Sequence, residues 1–341
     1  MGPDIRVSKF EQIVAAARKA VVVSHHSPDG DAVGSTVACG LYLAQRGVAV
    51  TLVLPDAMPD NLRFLSPAEH PVLVYEESPE PVEAAIAQAD TIFCLDFSGL
   101  SRTEQLEKPL AESRAVKVLV DHHASQDAEP FAEVIATREV SSASELLFWI
   151  LMRMSDVAGD AKRLPARCLE ALYTGMMTDT NNFANSVFPS TFEMASALIA
   201  AGVDKARLYQ QIFNVFSESR MRLMGYLLKD KMTLVPEYGA AFMVLSEAEK
   251  QSYGYRPGDS EGFVNLPLSI ASVRISALFT ETPEGYIRVS LRSKIGTDVN
   301  VLARAFFNGG GHVNAAGGRL YIPVGEVAAY FLDSLQKHFG R

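Results

Sequence analysis

Short, nearly unbroken apolar runs alternate along this chain with longer stretches whose apolar residues recur every three or four positions. The runs at 20–24, 48–54, 91–95 and 116–120 have the length of strands and read as strands covered on both faces, with 71–75 as a weaker fifth. The intervening stretches read as helices. Residues 8–19 open with Ser8 three positions before Glu11, a capping-box spacing. Residues 32–46 are apolar on most sides and stop at Gly47, and 82–88 and 102–112 are shorter helical segments. This alternation predicts a mostly parallel sheet.

Beyond 120 the pattern becomes helical. Ser142 and Glu145 form a second capping-box pair, opening a helix to about 154 that carries the chain's single tryptophan, Trp149. In 165–177, Leu169, Leu172, Tyr173 and Met176 stand at i, i+3, i+4 and i+7. Helices are expected at 191–201, at 205–213 behind the cap Asp204, and at 217–229. From Met232 short strands return, at 232–235 and 240–245, followed by a hairpin whose arms, 273–280 and 286–293, alternate apolar and polar residues. A helix at 299–306, a strand at 319–322 and a helix at 326–338 end the chain. The expected division is an α/β domain at 1–195, a helical connector at 196–230 and a smaller α/β domain at 231–341.

Composition narrows the function. The formal charge of −9 and a pI near 5.4 exclude a broad basic surface, so long double-stranded nucleic acid is not an expected partner, whereas a short RNA or a mononucleotide is compatible. The three cysteines, Cys39, Cys94 and Cys168, are widely spaced among apolar residues and fit neither a disulfide framework nor a zinc pattern. No run reaches the length of a membrane span, and Arg18-Lys19 interrupts the only apolar stretch near the N-terminus. These features predict a cytoplasmic protein without a membrane partner. Whether it pairs into a homodimer stays open.

The polar residues that end the apolar runs carry the chemistry. The run at 20–24 exits into His25-His26-Ser27-Pro28-Asp29-Gly30-Asp31, the run at 91–95 into Asp96, and the run at 116–120 into Asp121-His122-His123. In an open α/β sheet ligands bind beyond the carboxyl ends of parallel strands, where these groups would meet. Asp179 closes a predicted helix, where a carboxylate is unfavourable without a cation nearby. His25, Asp29, Asp31, Asp96, His122 and Asp179 thus make four carboxylates and two imidazoles, a donor set suited to two manganese ions, or magnesium, rather than structural zinc. Adjacent side chains diverge, so His123 can face a substrate while His122 faces metal. In the second half, Arg292 and the loop Gly309-Gly310-Gly311-His312 could hold a further phosphate. Arg274 and Arg288 read as solvated charges, and Phe306-Phe307 as core.

The strings His-His-Ser-Pro-Asp-Gly-Asp, Leu-Asp-Phe-Ser, Val-Asp-His-His and Thr-Asp-Thr resemble, in order, the four motifs of the DHH phosphoesterase superfamily. Ser290-Leu291-Arg292-Ser293-Lys294, Gly309 to His312 and Ala315-Ala316-Gly317 resemble its associated C-terminal domain. Chain length and Glu261-Gly262-Phe263-Val264-Asn265 are most similar to the stand-alone oligoribonuclease type. The resemblance implies His25 and Asp29 on one ion, Asp31, His122 and Asp179 on the other, and Asp96 bridging them. It implies manganese, His123 on the scissile phosphate, Asp121 orienting the histidines, and Asn265, Arg292, Gly310, Gly311 and His312 binding substrate in a cleft between the domains. The expected activity is hydrolysis of very short oligoribonucleotides to 5′-mononucleotides and of 3′-phosphoadenosine 5′-phosphate (pAp) to AMP. Hydrolysis of cyclic di-AMP or linear dinucleotides is the alternative. An exonuclease for long single strands would be expected to have a more basic groove, and a family II pyrophosphatase would lack the Gly-Gly-Gly-His string. A nucleotide-sensing regulator that does not hydrolyse would have no need of six metal ligands.

Overall fold

The apolar runs pair with one another in parallel. Strands β1 (Lys19–Val23), β2 (Ala49–Leu54), β3 (Val72–Val74), β4 (Thr91–Leu95), β5 (Val116–Asp121) and β6 (Glu133–Ala136) form one sheet in the order β3-β2-β1-β4-β5-β6. All five pairings are parallel. The chain builds outward from β1 to β3, then returns to lay β4 on the other side of β1. The order therefore reverses between β1 and β4, the position at which open α/β sheets bind ligands. The computed structural model describes every residue except Met1, Ser125, Ala128, Pro257 and Arg341, and the chain divides into two units, residues 1–215 and 216–341.

Alternate residues of each strand feed opposite faces of this first sheet. Val22, Leu52, Phe93, Leu95, Val118 and Val120 are buried beneath helices α1 (Ser8–Ala16), α2 (Gly30–Gln45), α5 (Ala143–Met152) and α6 (Ala166–Asp179). Val21, Val23, Val53, Ile92, Cys94 and Leu119 are buried beneath α3 (Pro79–Gln88) and α4 (Glu107–Glu112). Each such side chain stabilises the fold by roughly 1.5–3 kcal/mol, enough to fix the strand ends that carry the polar loops. Helices α2 and α6 approach closely because both are glycine where they meet. A Cβ on Gly34 would stand 2.6 Å from the Ala171 carbonyl oxygen and 2.9 Å from the Gly175 nitrogen.

The helices expected at 196–230 are shared between the units. α7 (Pro189–Ala200) and α8 (Lys205–Phe213) add Met194, Leu198, Leu208 and Ile212 to the first core, while α9 (Glu218–Tyr226) adds Leu223 to the second unit. That unit has a mixed sheet in the order β11-β12-β10-β9-β8-β7. Its strands are β7 (Thr233–Val235), β8 (Ala240–Leu245), β9 (Ile275–Glu281), β10 (Ile287–Ser293), β11 (Gly310–Gly311) and β12 (Ala315–Leu320), and β8–β9 is the parallel pair. Helix α10 (Glu247–Ser252) follows β8, and α11 (Val299–Phe306) and α12 (Val327–Phe339) cover one face, with Phe307 fully buried as core. No helix among the described residues is long and apolar enough to cross a membrane.

Three local expectations change. At α1 the helix begins behind Val7 without a side-chain cap, and Glu11 accepts from the Ser155 amide instead of closing a capping box. The segment 102–112 is a 3-10 stretch at Leu100–Leu106, itself kinked at Glu104, whose φ is 47°, followed by α4. The last strand starts at Ala315 rather than 319, because Gly317 and Gly318 let its backbone pack against its neighbours. In the glycine loop, Gly310 and Gly311 pair with Gly317 and Ala316.

Candidate metal centre

Three strand ends and one helix end supply the residues. β1 leads to His25, whose Nδ1 bonds the His26 carbonyl oxygen at 2.8 Å, leaving Nε2 3.5 Å from Asp96 Oδ2. Asp29 caps α2: its Oδ1 accepts from the amides of Asp31 and Ala32 at 2.9 and 3.0 Å. Asp96 follows β4 at φ 63°, in the left-handed region that costs non-glycine residues energy and often marks a functional position. β5 leads to His122, whose Nε2 lies 3.3, 3.7 and 3.9 Å from carboxylate oxygens of Asp96, Asp179 and Asp31.

Two sets of ligand atoms result, each within 4.8 Å of one another: His25, Asp29 and Asp96, and Asp31, His122 and Asp179. A third set, Asp96, His122 and His123, overlaps both. Nδ1 of His123 is 3.9 Å from Asp96 but only 2.7 Å from Asp121 Oδ1, so its closer partner is Asp121. Asp121 is fully buried, and its Oδ2 accepts from Gln126 at 2.8 Å. Gln126 also donates to the His123 carbonyl oxygen, a tie the strand-end reading did not include.

The electrostatics fit divalent cations. Among the described residues no lysine or arginine pairs with Asp29, Asp31, Asp96 or Asp179; their only cationic neighbours are imidazoles. Burial disfavours the charged forms of His25 and His122, yet the surrounding carboxylates, Asp96 foremost, raise them to about 9 and about 10. Burial and the other carboxylates push Asp31 up, and Asp179 to about 7. Asp96 is buried too, but the nearby imidazoles of His122 and His25 hold it at about 2. Its Oδ1 is buried with His122 Nε2 3.3 Å away but not aligned for a hydrogen bond, a costly arrangement that a cation would relieve.

Asp31 has partners its position in the sequence does not suggest. Its Oδ2 accepts from the Ala143 amide at 2.6 Å and its Oδ1 from the Ser144 amide at 2.9 Å, at the start of α5. Two backbone donors and the positive end of a helix thus steady a carboxylate set among like charges.

Comparison with known proteins agrees in both halves. The model of the DHH family N-terminal domain matches residues 19–176, and that of the DHHA1 domain matches residues 239–338. The chain belongs to the DHH phosphoesterase family. It is a hydrolase of that superfamily, and every residue of the site just described except Asp179 lies within the matched residues 19–176. The solved structure of an exopolyphosphatase-related protein from Bacteroides fragilis is 38% identical, with a TM-score of 0.91, over 97% of this chain and 96% of that one. The bifunctional oligoribonuclease and PAP phosphatase NrnA of Thermus thermophilus is 29% identical over 93% of this chain and 90% of its own length. Its Bacillus subtilis counterpart is 26% identical over 87% and 88%. The cyclic-di-AMP phosphodiesterase GdpP of Geobacillus thermodenitrificans is 24% identical over 97% of this chain, which spans 49% of that protein.

The DHHA1 half contains a cavity of about 620 Å³ lined by Arg288, Ser290, Arg292, Gly310, His312 and Gly317, with Glu261 and Gly262 also contributing. Arg292 is half-buried, burial lowers its pKa, and among the described residues its guanidinium bonds only the Leu291 carbonyl oxygen, at 2.9 Å. Arg288, read from the sequence as solvated, is exposed and also lines the cavity. Strand parity carries that signal, since 288, 290 and 292 lie on one face of β10. Among the described residues no carboxylate pairs with either arginine. Asn265 and Gly311 are not among the lining residues, and the Gly311 amide donates to Asn300.

Proposed function

We propose that this protein is a two-metal phosphoesterase for very short oligoribonucleotides and for pAp. The carrying observation is the pair of ligand sets that share the surroundings of Asp96, four carboxylates with no lysine or arginine of the described residues among them. His25 and Asp29 would hold one ion, Asp31, His122 and Asp179 the other, and Asp96 both. Carboxylate and imidazole donors suit manganese, with magnesium as the alternative. Two such ions, when bound, neutralise and polarise a phosphoryl group and ready water for in-line attack.

The chain's own groups complete the reaction. In both substrates the bond that breaks joins phosphorus to ribose O3′, leaving a 5′-mononucleotide from RNA, or AMP and phosphate from pAp. His123, held at Nδ1 by Asp121, would contact the reacting phosphate and give a proton from Nε2 to O3′. Arg292, with Arg288 and His312, would hold a phosphate away from the reacting one. Negative net charge disfavours the many phosphates of a long strand. Three buried free thiols suit a reducing compartment, and we assign the protein to the cytoplasm.

Chromatography of products tests the reading. With manganese, a linear dinucleotide and pAp should be hydrolysed faster than cyclic di-AMP, and Asp96→Asn should process none of them. Faster hydrolysis of cyclic di-AMP would favour the activity named for the Geobacillus relative. Binding of nucleotides with no product from any would indicate a sensor.

A further inference from the structure

One fully buried carboxylate takes no part in the chemistry above. Glu145, on the first turn of α5, is 0% exposed and is met by four donors. Its Oε2 accepts from the Ser141 amide at 2.9 Å, the Ser141 hydroxyl at 2.6 Å and the Thr191 hydroxyl at 2.7 Å; its Oε1 accepts from Trp149 Nε1 at 3.3 Å. All the partners donate, so the position calls for an acceptor-only group. The sequence spacing predicts a capping box with Ser142. Half of it forms: Ser142 Oγ takes the Glu145 amide at 2.9 Å, but the carboxylate passes its own cap and ties down Ser141 and, on α7, Thr191.

The consequence falls on Asp31. Three amides open α5. Ser142 takes the third, and Asp31 takes the first two, from Ala143 and Ser144. The direction of those two amides depends on the extended turn at Ser141-Ser142, and Glu145 clamps that turn from inside. We propose that Glu145 is a positioning residue of the metal centre, fixing the turn that aims two backbone amides at Asp31. The proposal rests on the two-metal reading, because its effect is exerted on one ion and not the other. Asp31 belongs to the set with His122 and Asp179, while the His25, Asp29 and Asp96 set makes no hydrogen bond to α5 among the described residues.

The test is calorimetric titration of the full chain with manganese, comparing wild type with Glu145→Gln and Glu145→Ala and recording each variant's melting temperature. Glutamine keeps one acceptor oxygen but turns an amide group toward Trp149; alanine leaves every donor unmet. The proposal expects one of the two ions to bind about tenfold or more weakly in Glu145→Gln, the scale of losing an outer partner of a metal ligand, and the other to bind as before. Glu145→Ala should lose more, and glutamine carries the test if alanine fails to fold. Wild-type affinity for both ions at a lowered melting temperature would make Glu145 merely structural and overturn the proposal. Equal weakening of both ions would overturn it too, as general loosening. A wild-type protein that binds no manganese would remove the two-metal reading, and the proposal with it, a result distinct from any behaviour of the variants.

Discussion

Nδ1 of His123 lies 2.7 Å from Oδ1 of Asp121, the residue that ends β5, so the carboxylate of a fully buried strand residue fixes the ring of a part-exposed one. His122, one residue earlier, turns its Nε2 toward Asp31, Asp96 and Asp179. The two adjacent imidazoles therefore have different partners. His123→Ala should keep its manganese and lose turnover by roughly 100-fold or more, the range of one general acid starting at about that value, while His122→Ala should lose manganese. Metal analysis beside rate measurement separates them, and loss of metal from His123→Ala would reverse the assignment.

Gly175→Ala tests how closely the fold must pack for the site to form. The added Cβ would stand 2.8 Å from Asp31 Oδ1 and 2.8 Å from Ser144 Cβ. Overpacking of this kind costs about 1–3 kcal/mol. The expected result is a lower melting temperature together with weaker manganese binding. Unchanged binding would mean that Asp31 has room the structure does not give it.

Arg292→Ala should act on some substrates and not others. If the guanidinium holds a remote phosphate, its binding energy helps position the reacting one, and its loss lowers kcat as well as affinity for dinucleotides and pAp. Bis-p-nitrophenyl phosphate offers no second phosphate, so its hydrolysis should change little. Equal losses on all three, compared as kcat/KM, would remove Arg292 from that role.

The second unit has an acid-sensitive tie of its own. Burial opposes the charge on Glu249, but hydrogen bonds from Lys231 and Tyr226, each 2.6 Å long, and from Ser246 hold it at about 2, below its ordinary 4.5. A depressed carboxylate stabilises in full above its unfolded value and ceases to do so below its folded one. Glu249→Gln should therefore be less stable than wild type at pH 7, and the gap should close as pH falls from about 4.5 toward 2. Urea midpoints at pH 7 and pH 3 measure it; a constant gap would mean the charge contributes nothing.

Much of the site is legible in the chain because β1, β4 and β5 are continuous apolar runs that stop abruptly in polar loops. Such runs announce their own ends. β6 is not legible: Glu133–Ala136 is four residues long, lies at the sheet edge and begins soon after Pro130. The support of Asp31 by Ala143 and Ser144 is hidden for another reason, since 112 and 113 residues separate the partners and a backbone amide leaves no mark on residue type. Glu145 misleads in a third way. Its spacing from Ser142 fits a cap, and only the fold brings Thr191 close enough to claim the carboxylate.

Anomalous diffraction from crystals grown with manganese tests the central claim most directly. Two peaks are predicted, about 3.5–4 Å apart as in other two-metal sites, with Asp96 between them. His25 and Asp29 should ligate one, and Asp31, His122 and Asp179 the other. A single peak, or peaks away from the ends of β1, β4 and β5, would contradict the account.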